Sequence, residues 1–129
     1  VSKAEIVRAI ESLTFSLLEF EAAYGRDNLI WASRLASHIS GDLVLLLRHV
    51  YDPKHARLGF KKINDFLPED VYQAFSNAID GIGPRNLPLG LIKLLDLLED
   101  IISKLPAEMI DKLNMPFYDF MAARIRALK

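Results

Sequence analysis

Apolar side chains recur at steps of three and four along most of this chain, and no stretch alternates at a period of two with β-branched enrichment. That periodicity limits the chain to helices, each with one face to bury. The first signal is Ser2-Lys3-Ala4-Glu5, a capping box in which hydroxyl and carboxylate satisfy each other's orphan backbone donors. Ile6, Ile10, Leu13, Leu17, Phe20 and Tyr24 follow as one stripe, which Gly25 ends. Asp27 is expected to cap a second helix running to about Tyr51, before Pro53, with Ala32, Leu35, Ile39, Leu43, Leu46 and Val50 inward.

Pro68-Glu69-Asp70 opens a third helix, with acids at the positive end of the dipole, and Gly81 closes it. "GIGPRNLP" is turn material. Pro88 then starts a fourth helix whose wide face holds Leu91, Leu94, Leu95, Leu98, Ile101, Ile102 and Leu105, opposite Asp96, Glu99 and Asp100. Pro106 kinks or ends it. A short turn over 107 to 113 leads to a last helix carrying Phe120, Met121, Ile125 and Leu128. The fold class expected is all-α, an antiparallel four- to five-helix bundle.

At 129 residues one core buries about two-thirds of the unfolded surface, so residues 1 to 129 are read as a single helical domain. The net charge of −1 gives no global pull toward nucleic acid or anionic lipid, and any electrostatic role is local. The absence of cysteine excludes disulfides and thiolate zinc sites and is compatible with a cytoplasmic protein. No apolar run is long enough to span a bilayer, so no membrane is an expected partner, and the near-zero net charge makes nucleic acid an unexpected one. The chain begins at Val1 without Met, directly at a helix start, which suggests a domain cut from a longer chain.

Gly-x-Gly-x-x-Gly, P-loop, Gly-x-Ser-x-Gly and His-Glu-x-x-His motifs are all absent. Three constellations remain. Trp31, His38, Asp42 and His49 share a stripe of the second helix, and His38 and Asp42 form an i, i+4 pair able to orient an imidazole or present two metal ligands. With no third ligand visible, a rim of half-buried polar groups is the plainer alternative. The first helix has a second apolar stripe of Ala4, Phe15, Leu18 and Ala22 with Glu11 inside it, flanked by Glu19 and Glu21; two apolar faces imply a second packing partner. Against this, the acids are ordinary solvated groups.

The third is "RHVYDPKHARLGFKK", residues 48 to 62. There Arg48, Lys54, His55, Arg57, Lys61 and Lys62 make an anion-attracting run, or else a hydrated loop. Arg48 and His55 also fit the Arg-x6-His spacing of the HEPN ribonuclease bundles, so a HEPN-like helical ribonuclease or toxin-type module is one alternative. An all-α protein-interaction module is another.

Together "GRDNLIWASRL", "LVLLLRHVYDP", "LGFKKINDFLPEDVYQAF", the Leu-rich fourth helix and "NMPFYDFMAARIRALK" resemble the helical C-terminal domain of aminoglycoside and lincosamide nucleotidyltransferases of the kanamycin type. The resemblance implies a noncatalytic substrate-binding and dimerisation domain, with a wall of the acceptor-substrate cleft and an acid from its first helix. Glu11, Glu19 and Glu21 are the candidates for that acid, with His38 and Asp42 beside them. It also implies that nucleoside triphosphate and magnesium are held by a Gly-Ser loop and paired aspartates of an N-terminal catalytic domain or subunit. This chain has no Gly-Ser pair and no Asp-x-Asp, so no catalytic residue, cofactor or metal ligand is assigned within it. A homodimer, the catalytic domain and a small-molecule acceptor are the partners implied. Gly25-Arg26, where the family tends to Arg-Gly-Asp, and Pro106, where its helix continues, depart from the pattern.

Overall fold

The computed structural model describes residues 1 to 128, and among these it is all-helical with no strand. The helices are α1 (Lys3–Gly25), α2 (Leu29–Tyr51), α3 (Glu69–Asp80), α4 (Leu89–Ile102), α5 (Ala107–Ile110) and α6 (Met115–Arg126). Two 3-10 segments, Pro53–Leu58 and Ile63–Asp65, lie between α2 and α3.

The capping box forms at the start of α1: Ser2 Oγ accepts from the Glu5 amide at 3.2 Å, and the Glu5 carboxylate accepts from the Ser2 amide at 3.3 Å. From Ile6 to Phe20 the main α1 stripe is buried, while Tyr24 is only half-buried. On α2, Ala32 to Leu46 of the stripe are buried and Val50 is half-buried. All seven apolar positions assigned to the fourth-helix face are buried, although Leu105 lies beyond the end of α4. α1 packs most extensively on α2, and α3 on α4; α2 also meets α4, and α6 meets both α1 and α4.

Several expected boundaries move. Asn28, not Asp27, occupies the cap of α2 and makes no side-chain capping bond; Asp27 instead sits at φ 60°, a left-handed position that aspartate tolerates better than most residues. α4 stops at Ile102, four residues short of Pro106, and Pro106 caps α5, which replaces the expected plain turn. Phe120 is exposed rather than part of the α6 packing face, where Tyr118, Met121, Ala122 and Ile125 are buried.

The turn from α3 to α4 brings two backbones into contact. The Gly90 amide donates to the Gly81 carbonyl at 3.1 Å, so the second residue of α4 satisfies its orphan N–H on the end of α3. A Cβ placed on Gly90 would lie 2.1 Å from the Gly81 carbonyl carbon. No rotamer change relieves a clash with backbone. Gly90→Ala should therefore push α3 and α4 apart and destabilise the chain by about 1–3 kcal/mol or more, as overpacking does. Gly83→Ala, whose Cβ meets nothing within 4 Å, is the control. Urea denaturation of the two variants checks this, and equal midpoints would show that the contact yields.

Candidate functional site at the α1–α2 groove

Burying the two main stripes against each other leaves the flanks of α1 and α2 facing across a shallow hollow of about 390 Å³. From α1 come Ser12, Phe15 and Glu19, at steps of three and four; from α2 come Trp31, Arg34 and His38, at the same steps. Phe15 is 59% exposed and Trp31 48%, so each aromatic ring offers a face to solvent. Leu18 on α1 and Ile30 on α2 add further exposed apolar surface.

Ser12 ties the hollow to Asp42, because its hydroxyl reaches the Asp42 carboxylate. Asp42 Oδ2 is buried without a hydrogen-bond partner, and His38 Nε2 stands 4.0 Å from it. Burial raises the Asp42 carboxyl above the ordinary range, outweighing the opposing pull of His38 and Ser12. A buried carboxylate oxygen with no donor is costly.

The sequence candidates fall into three groups. Glu19 and His38, which the sequence placed in separate constellations, both line this hollow, and Asp42, the i, i+4 partner of His38, adjoins it through Ser12. Glu11 lies across Phe15 in a second hollow of about 130 Å³, walled by Thr14, Leu113, Met115 and Tyr118. Glu21 is occupied, since both its carboxylate oxygens accept from Arg124 Nε on α6, at 2.7 and 2.9 Å. His49 is half-buried and does not line the hollow. Ser12 and Arg34 were not singled out from the sequence. The Ser12, Phe15, Glu19 spacing of three then four was the signal for the α1 side.

The basic run is more ordered than a hydrated loop. Arg48 is fully buried, with Nε donating to the Gly59 carbonyl at 2.8 Å, Nη1 to Asp52 Oδ2 at 2.8 Å and Nη2 to the Lys61 carbonyl. Its guanidinium also lies over the Phe66 ring, 5.6 Å from the centroid. Arg48 therefore belongs to the scaffold of the run and not to its surface. His55, exposed, places Nδ1 2.7 Å from Asp52 Oδ1 and stacks on Phe66 at 4.9 Å. Burial opposes the charge on Asp52, but hydrogen bonds from His55 and Arg48 prevail and hold the carboxyl below its usual range. Lys54, Arg57, Lys61 and Lys62 remain exposed, with Arg57 3.3 Å from Glu5.

Among the described residues no group of three or more His, Cys, Asp or Glu is placed to hold a metal ion, and no helix is long and apolar enough to cross a membrane. Comparison with family models, with curated proteins and with solved structures finds no match to this chain.

The two aspartates should act on stability with opposite signs. Asp42 binds its proton more tightly folded than unfolded, so its charge costs stability above the raised value, and the cost disappears as the pH falls to about 4, the unfolded value. Asp42→Asn should raise the urea midpoint at pH 7, with the gain fading through that window. For Asp52 the folded value is depressed, so its contribution is present above about 4 and is lost as the pH falls through the lower value. Asp52→Asn should lower the midpoint at pH 7. Denaturation series at pH 7, 5 and 3 measure both, and gains or losses of the same sign would refute the assignment.

Proposed function

We propose that this chain is the noncatalytic substrate-binding and dimerisation domain of a nucleotidyltransferase-like protein, an antiparallel four- to five-helix bundle whose α1–α2 hollow forms a wall of the acceptor cleft. One observation carries the reading: the hollow sets Glu19 and His38 beside two exposed aromatic rings, with the Asp42 carboxylate joined to its edge through Ser12. An amino-substituted, hydroxylated ring suits that combination. Its ammonium pairs with Glu19 or Asp42, its hydroxyls meet Ser12 and His38, and its apolar face lies on Trp31 or Phe15. The nucleoside triphosphate and magnesium belong to the catalytic domain or subunit of the parent enzyme. The exposed Phe15 and Leu18 supply apolar area for a second copy or for that domain.

The ribonuclease alternative loses support, because the Arg48 guanidinium that would have to meet RNA is buried and donates to Asp52, Gly59 and Lys61. The interaction-module alternative is favoured by the same exposed apolar residues that serve the dimer here.

Calorimetric titration of the chain with kanamycin and with a lincosamide tests the acceptor reading. Charge-assisted hydrogen bonds contribute about 1.5–3 kcal/mol each, so Glu19→Gln and Asp42→Asn should each weaken binding about 10- to 100-fold. No saturable binding by wild type, or equal binding by both variants, overturns it. For assembly, Phe15→Glu with Leu18→Glu removes two apolar contacts, each worth about 1.5–3 kcal/mol when buried. Sedimentation velocity should show self-association weakened while the circular dichroism is unchanged; a monomer in both forms would sink the dimer.

A further inference from the structure

The segment after α2 carries a second hollow that shares no residue with the α1–α2 hollow. Val1 and the run Pro53, Lys54, His55, Ala56, Arg57 and Leu58 line a surface hollow of about 220 Å³. Three of these side chains are cationic or able to become so. His55 is the best anchored of them. Its Nδ1 is engaged by Asp52, which is buried and itself clamped by the fully buried Arg48, and Phe66 stacks on the ring. Both ring position and hydrogen-bonding direction are therefore set by the scaffold.

The geometry points to a phosphate-binding site in this hollow, taking the phosphate group of a phosphomonoester or a free phosphate ion, with His55 Nε2, Arg57 and Lys54 as its donors. Once His55 is protonated, Nδ1–H donates to Asp52 and Nε2–H remains to donate outward. The guanidinium of Arg57 is a planar fork matched to phosphate oxygens, and Lys54 supplies a mobile point charge. The charged side chains around the hollow, and the Val1 amino group at its edge, fit this arrangement. Asp52 faces His55 and is neutralised by Arg48; Glu5 pairs with Arg57 at 3.3 Å, an exposed contact that a doubly charged anion can displace. Lys61 and Lys62 lie outside the lining, so binding is local and does not spread over the basic run.

Nitrogen-15 NMR titration of the whole chain with inorganic phosphate, and separately with ribose 5-phosphate, tests the site at constant ionic strength. The expected result is a saturable shift concentrated on residues 53 to 58, with affinity weakened at least about fivefold by Arg57→Gln and by His55→Gln, and less than about twofold by Lys62→Gln. Arg57 is exposed, so its variant keeps the test decisive even if His55→Gln disturbs the Asp52 cluster. A tighter response to the ester identifies a phosphomonoester as the ligand, and a tighter response to the ion identifies free phosphate. The site is overturned if neither anion saturates, if the shifts are spread equally over Lys61 and Lys62, if Arg57→Gln binds as wild type, or if the chain binds single-stranded RNA and neither small anion. None of these outcomes touches the acceptor reading of the α1–α2 hollow, which is read from a different ligand and different residues.

Discussion

The pairing of α1 with α2 is the contact around which the rest of the structure is arranged. Each is a 23-residue helix, and each turns a continuous stripe toward the other and toward the α4 and α6 helices that complete the core. Leu13, Leu17 and Phe20 on one side and Ile39, Leu43 and Leu46 on the other are all essentially excluded from solvent. A helix cylinder buried along one stripe leaves its flanking residues at the edge of the contact, where two cylinders curve away from each other. The hollow follows from that shape. Ser12, Phe15 and Glu19 stand one step aside from the α1 core stripe, and Trp31, Arg34 and His38 one step aside from that of α2, so the packing that excludes water also lines up the polar edge.

The end of α2 shows a different economy. Arg48 stands where the helix pattern calls for an inward residue, and its charge is accommodated by a carboxylate one turn later and by two backbone carbonyls of the segment that follows. Removing either partner would strand the other in a dry site, which is why such pairs resist single substitutions. The guanidinium thereby holds a segment with little regular structure of its own against α2. His55 and Phe66 are placed secondarily, through Asp52 and through the ring stack.

Much of this was legible from local rules. The capping box, the stripes of α1, α2 and α4, and the closure of α3 at Gly81 depend on residues within a few positions of one another, and they form as read. Asp27 misled because two good capping residues stand in sequence and Asn28 takes the position. The fate of Arg48 was concealed by its basic neighbours, although the Arg48 to Asp52 spacing of four was available as a sign of a paired, inward charge. The convergence of Glu19 on α1 with His38 on α2 depends on how the two helices are rotated against each other, which no single stripe reveals. For the same reason Glu21 looked free until α6 brought Arg124 to it.

The contact of Gly81 with Gly90 also bears on how this molecule can move. Helices packed through side chains slide past one another in small steps, because rotamers absorb the displacement. At this crossing there is no side chain to adjust, and a backbone hydrogen bond fastens the two helices at the point of closest approach. Sliding is thus blocked there, and α3 should follow α4, whose Leu91, Leu94, Leu95 and Leu98 are themselves part of the core. Any displacement of the pair is consequently taken up in the connections on either side of it, the segment from 52 to 68 and the turn beyond Ile102.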